Sequence, residues 1–173
     1  MPAINNLNQL AHLRAEIDKV DEKIIEILAE MQGKFKRRGA GSKPEVEKVQ
    51  QVFEKLPVAG GDILREEFIS KVIEIVVRDL SLESAIYSFP NVAQEINKLL
   101  QLIKARMEIS IAAGEVKKER GLSIFNKERE RIVKGQWMLA ATEKNLDGFF
   151  FHDVIEALLL ESRLLQFKIK ERQ

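Results

Sequence analysis

The segment Leu99–Val133 reads LLQLIKARMEISIAAGEVKKERGLSIFNKERERIV, and its spacing is helical up to Arg120, broken at Gly121, and helical again after Asn126. Leu99, Ile103 and Ala113 fall on one helical face, and Arg106 and Lys117 fall on that same face. Eleven residues at about 100° each return a side chain to within roughly 20° of its starting direction. Two cations therefore stand where a core helix is expected to be apolar. Ser110, Ala113 and Gly114 lie between them and are small enough to leave room beside the backbone. A row of cations over a strip of small residues describes a pocket for an anion. The competing reading is a helix rim, with long stems passing the core and charged heads in water.

Outward from this segment, the chain has the length for one domain with a real core or for two half-size helical units. Its 173 residues are 45% hydrophobic and 32% charged, with few glycines and prolines, which describes a soluble globular protein. A net charge of +1 gives no reason to expect nucleic acid or an anionic membrane as partner. Without cysteine, disulfides and thiolate metal sites are excluded. His12 and His152 have no spacing that suggests a metal site. The start of the chain lacks a basic segment followed by an apolar one, and no apolar run reaches membrane-spanning length. A cytoplasmic location is the expectation.

Leu10, Leu13, Ile17, Val20, Ile24, Ile27, Leu28 and Met31 recur at helical spacing from Asn6 to about Phe35. So long and narrow a stripe suits a helix that lies along a partner. Arg37–Ser42 reads as a loop, and Pro44 is placed to start a short helix to Leu56. Pro57 and Gly60–Gly61 end it, and Asp62 is placed to cap a third helix to about Tyr87. A long helix from about Pro90 to Arg120, another from Ser123 or Asn126 to Lys144, and a last from Phe149 complete the chain. The order long, short, long and then long, medium, long predicts an all-α fold of six helices as two three-helix repeats, residues 1–88 and 89–173. A shift of 75 residues lays Ile24, Ile25 and Leu28 over Leu99, Leu100 and Ile103.

Other polar residues interrupt apolar faces. The last helix turns Phe151, Ile155, Leu158, Ser162, Leu165 and Ile169 inward, with Gln166 one turn beyond Ser162. A buried hydroxyl and amide need hydrogen-bond partners; alternatively Gln166 stands at the stripe's edge and meets water. Asn126, Arg129 and Glu130 share a face, as a site or as a solvated surface. Arg14 lies beside Leu10, Leu13 and Ile17, with Asp18 available as an i+4 ion-pair partner.

These residues resemble the all-helical class of chorismate mutases. The run LAHLRAEIDKVDEKIIEILAE, Leu10–Glu30, is similar to that family's first-helix signature, an arginine followed by I-D-x-x-D, with Arg14 in the arginine's place. Arg106, Lys117, Arg129 and Glu130 match the next part of the signature in register, and Ser162 and Gln166 match its last-helix pattern. Asn126 stands where the family often has aspartate. In the first half, Met31, Ser42, Glu54 and Lys55 occupy the places of Arg106, Lys117, Arg129 and Glu130; Leu80 and Ser84 answer Ser162 and Gln166. Phe89 sits where a second Arg14 would be. The resemblance implies a duplicated, pseudo-dimeric mutase with one intact site and one erased.

By that resemblance the chain rearranges chorismate to prephenate without metal, cofactor or covalent intermediate. Arg14, Arg106 and Arg129 would fix the substrate's two carboxylates, and Ser162 would contact one of them. Lys117 and Gln166 would donate to the ether oxygen, and Glu130, helped by Asn126, would orient the ring hydroxyl. The first helix could complete the site within one chain or across a homodimer. Two alternatives are an isochorismate pyruvate-lyase of the same fold and a non-catalytic helical protein that binds a carboxylate metabolite.

Overall fold

A computed structural model of the chain describes residues 3–35, 63–79 and 89–172. Among the described residues there are five helices and no strand: α1 (Ala3–Phe35), α2 (Glu66–Asp79), α3 (Phe89–Glu119), α4 (Lys127–Glu143) and α5 (Gly148–Glu171). The all-α expectation therefore holds over them. The loop Arg37–Ser42, the short helix Pro44–Leu56, the Asp62 cap and the extension to Tyr87 lie outside the described residues.

The stripe of α1 finds its partner within the same chain. Lys34 meets Glu95 at 3.0 Å, Asp21 meets Arg106 at 2.6 Å, and Leu10 packs with Ala113 and Val116. Rising numbers on α1 meet falling numbers on α3, so the two long helices run antiparallel along most of their length. Ile24, Ile25 and Leu28 are buried there, as are Leu99, Leu100 and Ile103, their counterparts 75 residues on. Burying such side chains contributes roughly 1.5–3 kcal/mol each, which is why this seam rather than helix propensity holds α1 in place.

Helix α5 completes the core. It runs parallel to α3, with Ser110 opposite Ser162, Lys117 opposite Gln166, and Lys118 on the carbonyl of Arg172. Its Phe150 and Phe151 rings meet edge to face at 5.5 Å, and Trp137 from α4 lies 6.1 Å from Phe151. Helix α2 covers the other side of α5 in the opposite direction, through Arg65–Glu161 at one end and Arg78–Asp153 at the other.

Two turns fix the geometry between the last three helices. Gly121 has φ +64, and the N–H groups of Leu122 and Gly121 return to the carbonyls of Lys117 and Lys118, a Schellman ending for α3. Asn145, at φ 53, ends α4 in the same way, with Leu146 and Asn145 returning to Ala141 and Thr142. Asn126 then caps α4 by accepting from the Arg129 N–H, and Asp147 caps α5 by accepting from Phe149 and Phe150.

Candidate active site

The break after α3 serves the site directly. The Schellman turn brings the Ile124 carbonyl back to Lys117, whose Nζ donates to it at 2.8 Å. The same turn sets Asn126 at the head of α4, so Arg129 and Glu130 on its first turn face α1 and α5. Arg106 and Lys117 arrive from α3, Ser162 and Gln166 from α5, and Arg14 from α1. All eight of these side chains line one cavity, together with Leu10, Ile17, Ala113, Ile124, Val133 and Leu159. Its empty space is about 590 Å³, the mouth included.

Arg106 and Lys117 are core residues, which removes the rim reading: their exposures are 2% and 9%. Arg106 Nε donates to Asp21 Oδ1 at 2.6 Å, Nη2 donates to Asp21 Oδ2 at 3.4 Å, and Nη1 donates to Ser162 Oγ at 2.8 Å. Ser162 in turn donates to the Leu158 carbonyl at 2.9 Å, so its single proton is committed and its oxygen supports the guanidinium. Two of the five Arg106 N–H groups remain for other acceptors. Arg129 is tied differently, with Nη2 on Asp18 and on the Arg14 carbonyl. That contact corrects the expected Arg14–Asp18 pair: Asp18 is taken by Arg129 because α4 closes over that face of α1.

Lys117 and Arg14 are held without a carboxylate within ion-pair distance among the described residues. Burial, then the nearby Arg14 charge, pulls the Lys117 ammonium down to about 8, against a smaller opposing pull from Glu130. Burial and the neighbouring Arg129 likewise lower Arg14 from its ordinary value. Positive charge is thus concentrated in a half-dry cavity, where an entering anion would relieve both shifts. Gln166 is buried and accepts from Lys117 Nζ through Oε1 at 2.8 Å, which leaves its NH₂ as a donor and excludes the solvent-edge reading.

The strip of small residues acts otherwise than its composition suggested. A Cβ on Gly114 would stand 2.9 Å from Cγ of Gln166 and 3.2 Å from Cδ1 of Ile169. The room beside Gly114 is therefore filled by α5, and the glycine lets Gln166 come close to Lys117. Two residues of the site were given no role from the sequence, although Asp21 closes the I-D-x-x-D run of α1. Asp21, 4% exposed, neutralises Arg106; its signal was its place on the apolar stripe between Ile17 and Ile24. Arg163 also lines the cavity, and only the tertiary structure distinguishes it from other charged residues on α5.

Fixed guanidinium forks, an ammonium, a neutral amide donor and one carboxylate suit a small compound with two negative groups and a hydroxyl. Among the described residues no group of three or more His, Asp or Glu side chains is arranged to hold a metal ion, and no helix is long and apolar enough to cross a membrane. Residues 95–167 match the family model described as Chorismate mutase type II. This stretch is a chorismate mutase type II domain, and it supports chorismate mutase activity, an intramolecular isomerisation in aromatic amino acid biosynthesis with chorismate as substrate. No curated protein and no solved structure matches the chain. The matched stretch contains Arg106, Lys117, Asn126, Arg129, Glu130, Ser162 and Gln166, while Arg14 lies outside it.

Proposed function

We propose, on the premise of the chorismate mutase type II domain at residues 95–167, that this chain carries out its rearrangement at the cavity between α1, α3, α4 and α5, with Arg14 of the same chain completing the site. Arg14, Arg129 and the two spare N–H groups of Arg106 bind the two carboxylates. They hold the substrate in the compact conformer from which a new C–C bond forms as the ether C–O bond breaks. Negative charge grows on the ether oxygen as that bond lengthens. Lys117 and the Gln166 NH₂ face it as donors already in place, so the barrier falls without reorganisation of the site. Glu130 accepts from the ring hydroxyl, with Asn126 beside it. Ser162 acts through Arg106 rather than on the substrate, since its proton is spent on Leu158.

The observation that carries this reading is the pair Arg14 and Lys117, two cations from helices far apart in sequence that line one cavity with no carboxylate at ion-pair distance among the described residues, both lowered from their ordinary values. The chain is a duplicated mutase, residues 1–88 and 89–173, folded as a pseudo-dimer with a single site. Support comes from the antiparallel α1–α3 seam and from Met31, which is buried at the position equivalent to Arg106 and cannot bind an anion. The deciding experiment incubates the purified protein with chorismate and follows its absorbance. Prephenate is the expected product. Pyruvate release from isochorismate instead would assign the lyase, and inertness to both would leave a binding protein.

A further inference from the structure

Arg163 is the cation of the cavity to which that reading gives no task. Its Nε is buried with no hydrogen-bond partner, and it stands 3.5 Å from Oε1 of Glu130. Its guanidinium lies over the Phe125 ring at 5.6 Å, and Phe125 immediately precedes Asn126, the cap of α4. A buried N–H donor left unmet is costly, and the nearest carboxylate needs to move only about 0.6 Å to reach ordinary hydrogen-bond length.

From this geometry we infer that Arg163 is a positioning residue that acts through Glu130. When a ligand hydroxyl donates to one oxygen of the Glu130 carboxylate, Arg163 Nε takes the other and fixes its rotation. Glu130 alone would be free to turn toward the other cations of the cavity, Lys117 among them, whose charged form it favours. Arg163 approaches from α5, 3.5 Å from the carboxylate, and opposes that turn. Stacking on Phe125 keeps the guanidinium plane in place and ties the head of α4 to α5. The inference rests on the functional reading above, in which Glu130 receives the ring hydroxyl.

The test is a double-mutant cycle on the full chain with chorismate: Arg163→Gln, Glu130→Gln and the double variant, each with kcat, KM and melting temperature. Arg163→Gln is expected to lower kcat on the order of 10-fold, with KM and melting temperature little changed, because a charge-assisted hydrogen bond is lost. In the Glu130→Gln background the same change should cost nothing further. Phe125→Leu removes the stacking alone, and its smaller kcat loss should also vanish with Glu130→Gln. A loss of equal size in both backgrounds, or one seen in KM alone, would overturn the inference and leave the mutase reading standing. A wild-type chain inert on chorismate would overturn both.

Discussion

Lys117 Nζ donates to Oε1 of Gln166 over 2.8 Å, and the same ammonium donates to the Ile124 carbonyl over an equal distance. Two of its three N–H directions are thereby fixed and the third is left for the cavity. The contact also orients Gln166, because an amide whose oxygen faces an ammonium must present its NH₂ elsewhere.

Lys117→Ala removes a donor aimed at the ether oxygen and frees Gln166 to rotate. Turnover of chorismate should fall roughly 10²–10³-fold, the usual loss for one preorganised donor to a developing oxyanion. Steady-state kinetics checks this, and unchanged kcat would dismiss the site.

The depressed Lys117 gives a pH dependence with a definite sign. The ammonium is present below about 8 and is lost above it, so kcat/KM should decline as pH rises through about 8. A bound dianion favours the charged form, so the limb in kcat should lie at higher pH. For stability the direction reverses. The folded state holds this proton less tightly than the unfolded chain, so the contribution of Lys117 is unfavourable below about 8 and is relieved as pH rises toward its ordinary value of 10.5. Lys117→Met should abolish both the kinetic limb and that alkaline gain in melting temperature.

Asp21→Ala leaves Arg106 charged and buried without its carboxylate. Removing one partner of a buried pair costs about 3–5 kcal/mol. Chemical denaturation should show a loss in that range. Loss below about 1 kcal/mol would mean that Arg106 finds water or another acceptor.

Gly114→Ala opposes two effects of known size. Helix propensity favours alanine by about 1 kcal/mol. The new methyl would stand 3.3 Å from Cβ of Gln166 as well as 2.9 Å from its Cγ, so the backbone of α5 must shift, at about 1–3 kcal/mol. Packing should win: the melting temperature falls, and kcat falls with it as Gln166 is pushed off Lys117.

Arg14→Ala should raise KM or lower kcat for chorismate by at least about 10-fold, in line with loss of a charged hydrogen bond. Since Arg14 lines the cavity of its own chain, specific activity should stay constant as the protein is diluted. Activity lost in proportion to dilution would instead mean that the arginine is supplied by a neighbouring copy.

Much of this was legible in one dimension because helical periodicity is a local property. The stripes Leu10–Met31 and Leu99–Ile103, the stop at Gly121 and the cap at Asn126 each follow from spacing and backbone preference over a few residues. Periodicity also put Arg106 and Lys117 on one face, and Ser162 and Gln166 on another. What a charged side chain pairs with is decided by the helices that pack against it, and no local pattern encodes that. Only the tertiary structure gave Asp21 to Arg106, took Asp18 from Arg14 for Arg129, filled the space at Gly114 with α5, and brought Arg163 beside Glu130. Sequence thus determined the faces. The packing of α1, α4 and α5 around α3 determined which charges are neutralised there and which two remain to meet an anion.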